Sequence, residues 1–274
     1  LSLASAVTPD AFAESPPSDP AVNTASPVAA FERIWNLTRE QIYPTRLLYT
    51  HFDAATHHRL REQVSALDSV EALPDVVNPF LDSLGVSHTQ LYARHSLQYA
   101  FFRSLFATKD PNEPAFSHLG VQLLHHAGRW YVRETLDGFP AAGAGLGRGD
   151  ELLTIDDEPF DPKLMCDGGE RRGNNPHRIQ VRRRDRDRRT FEVGCIRQNP
   201  HASMHQAISN SVRTYTAGNA TIGYLRLWTG TGPGGLARYR AAIASLAQTD
   251  AMILDLRGGF GGAWYEHLDP FFAD

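Results

Sequence analysis

A glycine-rich motif near the end of the chain is the part of the sequence best suited to chemistry. Residues Asp255–Gly262 (DLRGGFGG) overlap and follow the apolar run Ala251–Leu256, which has the length of a strand. Glycine tolerates positive φ and has no Cβ, so backbone N–H groups in such a turn can point into a cleft. A turn of this kind at the carboxyl end of a buried strand is where α/β folds bind ligands and place oxyanion donors. Gly261 and Gly262 are therefore candidate oxyanion donors; the alternative is that they serve only a tight turn.

A second candidate lies far upstream, where Ser87 and His88 are adjacent in the segment Leu84–Tyr92 (LGVSHTQLY). A serine hydroxyl is a weak nucleophile until a positioned base removes its proton. Histidine is the side chain whose ordinary pKa suits that role near neutral pH. A single histidine in a loop is more often a surface or capping residue, so the residues alone leave both interpretations open.

Helical periodicity dominates from Val28 to about Thr108. Phe31, Ile34 and Trp35 fall on one helical face, and Gly85 is placed to end a helix that runs to Leu84. The turn-rich stretch at residues 109–114 (KDPNEP) then predicts a boundary. We expect a helical domain over residues 28–108.

Short strands are predicted after this boundary. Residues 120–124, 129–133 and 151–155 have the composition and length of strands. Between the last two, residues 140–150 (PAAGAGLGRGD) predict a short helix that is closed by glycine and followed by a turn into the next strand. We therefore expect a β-rich domain over residues 112–198.

Nine arginines lie between Arg171 and Arg189, which raises the question of nucleic-acid binding. No aromatic residues interleave them, and the stretches 179–184 and 188–193 bracket a turn at residues 185–187. The pattern is typical of a β-hairpin with one solvated face. The net charge of −4 over 274 residues points to no strongly charged partner. We expect no nucleic-acid partner.

The last part of the chain predicts a βαβ unit within residues 205–274. After an apparent linker at residues 199–212, residues 221–227 read as a strand, 236–247 as an amphipathic helix and 251–256 as a second strand. A connection of this size implies that the two strands pair in parallel with a right-handed crossover.

These motifs together resemble the carboxyl-terminal processing (tail-specific) serine proteases and their tricorn-core relatives. Residues 255–262 resemble the family signature DLRGNPGG, and residues 84–92 resemble its LGDxH(S/T) segment. Residues 140–150 resemble the core of PDZ domains in bacterial proteases, and residues 222–227 resemble the opening strand of the catalytic core. The resemblance implies a multidomain α+β fold with a helical domain, a PDZ-like domain and the start of a crotonase/ClpP-like α/β core.

The resemblance also implies a reaction and its site. The family hydrolyses peptide bonds through an acyl-enzyme, without a cofactor or metal. In this chain the resemblance implies that His88 is the general base, that Ser87 supports it, and that Gly261 and Gly262 are the oxyanion donors. The family's nucleophilic serine lies beyond Asp274, so we expect this chain by itself to be inactive. Val86 departs from the acidic residue usual there, and a serine–lysine mechanism stays open. The alternative function is a non-catalytic peptide- or ligand-binding protein on the same fold.

Peptide binding is implied by the PDZ resemblance. The carboxylate-binding loop would be Ser117–Val121, with His118, Leu119 and Gly120 in the loop and Val121 and Leu123 beginning the groove strand. Such a groove adds an extended peptide as a strand and holds its C-terminal carboxylate. The expected partners are protein or peptide substrates, bound through their C-termini. In some relatives the PDZ domain instead occludes or gates the active site, so this alternative stays open.

The first 27 residues predict export. Residues 1–13 are small and apolar and end in Ala11-Phe12-Ala13, which has the form of a signal-peptidase site; a disordered tail is the alternative. Residues 14–27 contain four prolines and read as a linker. The two cysteines, Cys166 and Cys195, would suit one disulfide in the bacterial periplasm or outside the cell, or else are separate buried thiols. No run is long enough to span a membrane, and nothing indicates an oligomeric state.

Overall fold

A computed structural model of the chain describes residues 26–86, 89–94, 96–105, 115–166, 175–184, 187–262 and 265–272. The fold is mixed α/β, with helices and several sheets. The chain divides into two compact units between Arg94 and His95. Helix Leu97–Leu105 belongs to the second unit, whereas the sequence interpretation placed it in a helical domain that runs to residue 108.

Helices form the first unit. They are α1 (Pro27–Gln41), α2 (Arg46–His51), α3 (Ala54–Ser65) and α4 (Leu73–Ser83). Side-chain caps fix where α1 and α3 begin. The Ser26 side chain accepts a hydrogen bond from the Ala29 N–H, and the Asp53 side chain accepts one from the Thr56 N–H. The apolar faces share one core, which includes Phe31, Trp35, Leu60, Val64, Val77 and Phe80.

Antiparallel strands follow α5 (Leu97–Leu105) in the second unit. They are β1 (Phe116–His118), β2 (Val121–His126), β3 (Arg129–Thr135), β4 (Glu151–Ile155), β5 (Glu158–Pro159), β6 (His177–Arg183), β7 (Asp187–Val193) and β8 (Ile196–Gln198). The main sheet has the order β2-β3-β4-β6-β7, and β5 pairs with β4. Strands β1 and β8 pair with each other. The strands predicted from residues 120–155 and the arginine-rich hairpin are present.

The short helix predicted before β4 is confirmed as α6 (Pro140–Ala144). Pro140 stands at its first turn, where the missing N–H costs nothing. Gly145 ends the helix in the left-handed conformation with φ 94°, which a residue with a Cβ rarely adopts. Ala141 and Leu146 are buried in the core of the sheet.

The arginines of the β6–β7 hairpin are largely neutralised by acidic residues of the same sheet. Arg182 donates to both carboxylate oxygens of Glu151, at 2.6 Å to Oε1 and 2.8 Å to Oε2. The Arg183 Nε atom donates to Asp150 Oδ1 at 2.6 Å. Paired guanidinium groups of this kind brace the sheet.

A disulfide joins Cys166 and Cys195, so the first of the two sequence interpretations is correct for these cysteines. Cys166 lies in the connection between β5 and β6, and Cys195 lies between β7 and β8. The bond therefore ties two connections of the β-rich sheet to each other.

The predicted βαβ unit is confirmed at the end of the chain. It comprises β10 (Ala220–Arg226), α8 (Pro233–Ser245) and β11 (Ala251–Asp255). Strands β10 and β11 pair in parallel, from Ile222 opposite Ala251 to Arg226 opposite Asp255. Strand β9 (Arg213–Ala217) pairs with β10 in antiparallel orientation, and a short helix, α9 (Asp269–Phe272), follows β11.

The linker predicted at residues 199–212 is wrong, because this segment is mostly helix α7 (Pro200–Asn210). The Asn199 side chain accepts a hydrogen bond from the Ala202 N–H and caps the helix. Met204, Ala207 and Ile208 on α7 are fully buried against α5 and α8. Helix α7 thus supplies a large part of the core beneath β10.

We expect Gly120→Ala to destabilise the second unit more than Gly128→Ala. Both glycines have nearly the same positive φ, 74° and 73°. A Cβ at Gly120 would lie 2.5 Å from Phe139 Cβ, whereas one at Gly128 would meet no atom within 4 Å. Gly128→Ala carries only the conformational cost of about 1–2 kcal/mol, and overpacking adds about 1–3 kcal/mol at Gly120. Urea denaturation measures both; equal losses would contradict the clash.

Candidate functional site

The glycine-rich loop begins at the carboxyl end of β11, beside the equivalent end of β10. The Leu227 N–H donates to Asp255 O at 3.0 Å, and the Phe260 N–H donates to Trp228 O at 2.9 Å. Thr229 and Phe260 form a parallel bridge beyond the last regular pair. Two adjacent parallel strands therefore end together, which is where α/β folds place their sites.

Glycine is required at two positions of this loop. Gly258 and Gly261 have φ values of 69° and 74°. A Cβ at Gly261 would lie 2.2 Å from Thr231 Cγ2. Gly261 and the following Gly262 are exposed, and within the described residues neither N–H donates a hydrogen bond. Among the described residues, both N–H groups are thus without an assigned acceptor, and their role as oxyanion donors stays a prediction.

Asp255 anchors the start of the loop. Its carboxylate accepts two hydrogen bonds from the Arg257 guanidinium, at 2.9 and 2.7 Å, and one from the Tyr224 hydroxyl at 2.7 Å. The Arg257 side chain, together with the Arg257 N–H and Tyr224, holds the pKa of Asp255 well below its ordinary range. Asp255 is buried and ionised, so it acts as a fixed acceptor for the loop.

Four side chains beside the loop were missed by the sequence reasoning. His201 and His205, one turn apart on α7, both reach Thr231: His201 Nε2 is 2.8 Å from its hydroxyl, and His205 Nε2 donates to its carbonyl at 2.8 Å. The Thr229 and Thr231 hydroxyls are 2.6 Å apart. Burial lowers the pKa of both histidines, that of His201 to about 4, so they are neutral near pH 7. They hold the wall against which Gly261 packs.

The sequence did contain one signal for these side chains. His201 and His205 have the i, i+4 spacing that places two residues on the same face of a helix, but they lie in the segment that was interpreted as a linker.

Ser87 and His88 lie outside the described residues, so their predicted roles stay predictions. The residues that follow them are held firmly in the first unit. Asn78 donates to Leu91 O at 3.1 Å and accepts from the Leu91 N–H at 2.8 Å. Thr89 and Leu91 also line a cleft of about 340 Å³ between α1 and α4, with Ile34 and Leu81 among its other walls. The segment after His88 is thus an ordered wall of a cleft.

The predicted carboxylate-binding loop is mostly buried. His118, Leu119, Gly120 and Val121 are buried and Leu123 is half-buried. The Gly120 N–H donates to His118 Nδ1 at 3.1 Å, which places the ring proton on Nε2, facing Ser203 Oγ at 3.2 Å. One N–H of the loop therefore already has a partner, and the peptide-binding role of these residues stays a prediction.

The disulfide lies next to a buried histidine. Cys166, Cys195 and His177 each place one possible ligand atom within 4.8 Å of the others. The two sulfurs are bonded to each other, and His177 Nε2 accepts from the Cys166 N–H at 3.1 Å while Nδ1 is 2.7 Å from Asp156 Oδ2. All of these atoms have partners, so the group stabilises the sheet connection and is not arranged to hold a metal.

Acid is expected to destabilise the second unit through His118. Burial lowers the pKa of His118 from 6.5 to about 4, so the unfolded chain binds more protons between these pH values. The part of the free energy of unfolding that depends on neutral His118 is fully present above pH 6.5. It falls as the pH drops towards 4, by up to about 1.4 kcal/mol per pH unit. In urea denaturation at several pH values, His118→Asn should show a weaker pH dependence than the original chain. The exposed-residue control His126→Asn should keep the full dependence, and an unchanged dependence in His118→Asn would contradict the assignment.

No family model matches the chain, and no curated protein matches its sequence. Solved structures do match it. The photosystem II D1 C-terminal processing protease aligns over 90% of this chain and 64% of its own length, with 16% identity and a TM-score of 0.44. The tricorn protease aligns over 86% of this chain and 23% of its own, with 15% identity and a TM-score of 0.35. Mature CPAF complexed with lactacystin aligns over 88% of this chain and 57% of its own, with 14% identity and a TM-score of 0.35.

Two of these three structures are named as proteases, the D1 C-terminal processing protease and the tricorn protease. A putative S41 protease from Bacteroides fragilis is similar to 55% of the chain, over 43% of its own length, with 16% identity and a TM-score of 0.32. The chain spans less than two thirds of the length of each of these four structures. Among the described helices, none has both the length and the apolar character needed to cross a bilayer.

Proposed function

We propose that this chain is part of a serine-type endopeptidase of the C-terminal processing class. The glycine-rich loop at the end of β11 carries the proposal, because Gly261 and Gly262 are exposed residues in a loop beside the ends of two parallel strands. Preorganised donors of this kind stabilise the oxyanion of acyl transfer, each by roughly 2.7–4 kcal/mol. The sequence motif that forms this loop is the one that resembles the family signature.

The reaction in this proposal is hydrolysis of a peptide bond through an acyl-enzyme. His88 takes the proton of a serine hydroxyl while the serine oxygen bonds to the scissile carbonyl carbon; the C–N bond then breaks, and His88 gives the proton to the leaving amine. In the second half, His88 takes a proton from a water molecule whose oxygen bonds to the acyl carbon; the ester bond to serine breaks, the serine oxygen regains a proton from His88, and the carboxylic acid is released. Ser87 supports His88, and Gly261 and Gly262 bind the oxyanion. The resemblance places the serine after Asp274, together with the lysine of the serine–lysine alternative.

The proposed substrates are proteins or peptides recognised at their C-termini. The β-rich sheet is the proposed PDZ-like domain, with Ser117–Val121 as the loop that receives the carboxylate. Among the described strands, β2 stands at the end of the strand order, which supports the addition of a peptide strand at its outer edge. The Cys166–Cys195 disulfide supports a location outside the cytoplasm, since such bonds persist in oxidising compartments. The periplasm or the exterior of a bacterial cell is the proposed place of action.

A fluorophosphonate probe tests the proposed reaction. The probe is applied to a longer form of the protein that continues beyond Asp274, and peptide cleavage is measured in parallel on substrates with free and amidated C-termini. We expect one labelled serine, and faster cleavage of the free-carboxylate peptide. The 274-residue chain is the control and should show neither labelling nor cleavage. A longer form that binds peptides without labelling or cleavage would indicate the non-catalytic binding protein instead.

A further inference from the structure

Two carbonyl groups of the glycine-rich loop are held by buried side chains from other strands. Arg226, the last residue of β10, donates to Arg257 O at 2.6 Å through Nη2 and at 3.2 Å through Nε. Gln122, on β2, donates from Nε2 to Gly258 O at 3.2 Å. Both side chains are nearly inaccessible, with Arg226 8% and Gln122 1% exposed. Two successive peptide groups of the loop are thus hydrogen-bonded by side chains that lie outside the loop.

Glu134 orients the arginine in this arrangement. It lies on β3 directly opposite Gln122, and its Oε2 is 3.0 Å from Arg226 Nη2. Its other oxygen, Oε1, pairs with Arg148. The Arg226 guanidinium also lies over the Trp228 ring, with 3.7 Å between its central carbon and the ring centroid. The contacts with Glu134 and with the Trp228 ring together fix the orientation of the Arg226 guanidinium, so its N–H donors point in one direction.

Gln122 has features that packing alone does not explain. The register of β2 against β3 shifts between Gln122 and Leu123, and such bulges re-aim side chains near functional sites. Within the part of the chain that the structure describes, its Oε1 atom is buried without a hydrogen-bond partner. An unsatisfied buried acceptor costs stability, whereas an apolar side chain at this position would not carry that cost. The hydrogen bond that this amide makes to the described residues goes to the loop.

We propose that Gln122, Glu134 and Arg226 are positioning residues for the glycine-rich loop. Because a peptide group is planar and trans, fixing the carbonyl of Arg257 fixes the N–H of Gly258 in the opposite direction, and fixing that of Gly258 does the same for Gly259. Glycines have the most backbone freedom to lose, so a loop of this composition needs external contacts to stay in one conformation. The proposal rests on the proposed function for its purpose: Gly258 and Gly259 lead into the proposed oxyanion donors Gly261 and Gly262, and such donors act only if the conformation of their loop is set before the reaction.

Amide order in the 274-residue chain tests the positioning directly. With selective ¹⁵N-glycine labelling, Gly258 and Gly259 should behave as rigid backbone, with order parameters of about 0.85. In Glu134→Gln, which keeps the shape and removes the charge, we expect both values to fall towards about 0.6 and both resonances to shift. The matched control is Glu151→Gln, since Glu151 is another buried acid of the same sheet and pairs with Arg182, which is on β6 and outside the loop. Gly218, in the turn between β9 and β10, should be unaffected in both variants.

A second variant separates positioning from simple stability. Gln122→Met removes the hydrogen bond to Gly258 and also the unsatisfied acceptor. We expect its urea midpoint to match that of the original chain, while the order parameters of Gly258 and Gly259 fall as in Glu134→Gln. In a longer form with peptidase activity, the same variant should lower kcat about tenfold and leave KM unchanged.

Two results would overturn the proposal. One is rigid Gly258 and Gly259 in both variants; the other is loosening of these glycines by Glu151→Gln to the same extent. If the glycines loosen in the two variants but the longer form cleaves no peptide, the positioning role stands and the proposed function fails.

Discussion

Replacing His88 by Ala in a longer, active form of the protein is expected to lower kcat by roughly 10²–10⁴-fold, the usual contribution of a general base. KM for a peptide substrate should change little, because the proposed peptide-binding loop is formed by other residues. The acid limb of the pH–rate profile should disappear with the histidine, since that limb reports protonation of the base. Steady-state kinetics between pH 5 and pH 9, at several substrate concentrations, measure all three quantities.

His58→Ala is the matched control for this variant. His58 belongs to the same unit, and its side chain is 75% exposed. It should keep the original kcat and pH profile. A kcat for His88→Ala equal to that of the control would remove His88 from the mechanism and favour the serine–lysine alternative.

Replacing both Cys166 and Cys195 by Ala is expected to lower the free energy of unfolding of the second unit by about 3.5 kcal/mol. The two residues are 29 positions apart, and a crosslink that closes a loop of this length removes that much conformational entropy from the unfolded chain in the chain-entropy model. Urea denaturation of the oxidised chain and of the double variant gives the difference.

A reducing agent supplies the control for the cysteine pair. Dithiothreitol should destabilise the original chain by a similar amount and should leave the double variant unchanged. A loss below about 1 kcal/mol in the double variant would show that the unfolded state is not constrained as the chain-entropy model requires.

Local signals were sufficient for much of the fold. The βαβ unit followed from two apolar runs separated by an amphipathic helix, and α6 followed from Pro140 at its start and Gly145 at its end. The failure at α7 has a specific cause. Asn199 and Pro200 are a good helix start, but the polar residues among its buried positions, such as Ser203, weakened the apolar periodicity.

The site was only partly predictable for a different reason. The glycine-rich loop could be placed because its strand and its glycines are adjacent in sequence. Its supports could not, because Gln122 and Glu134 come from strands more than a hundred residues earlier and reach the loop only through the register of β2 on β3. Thr231 and His201 meet in the same way, across 30 residues. Contacts of this kind depend on tertiary structure and leave no periodic pattern.

The contacts of Gln122, Glu134 and Arg226 with the glycine-rich loop also limit which parts of this protein can be exchanged with those of another protein. A chimera that exchanged the β-rich sheet for that of another protein would remove Glu134, the carboxylate in direct contact with the buried Arg226 guanidinium. Removing one partner of a buried ion pair typically costs about 3–5 kcal/mol. The sheet and the βαβ unit are therefore not interchangeable modules, and a successful graft would have to carry Gln122, Glu134 and Arg226 together.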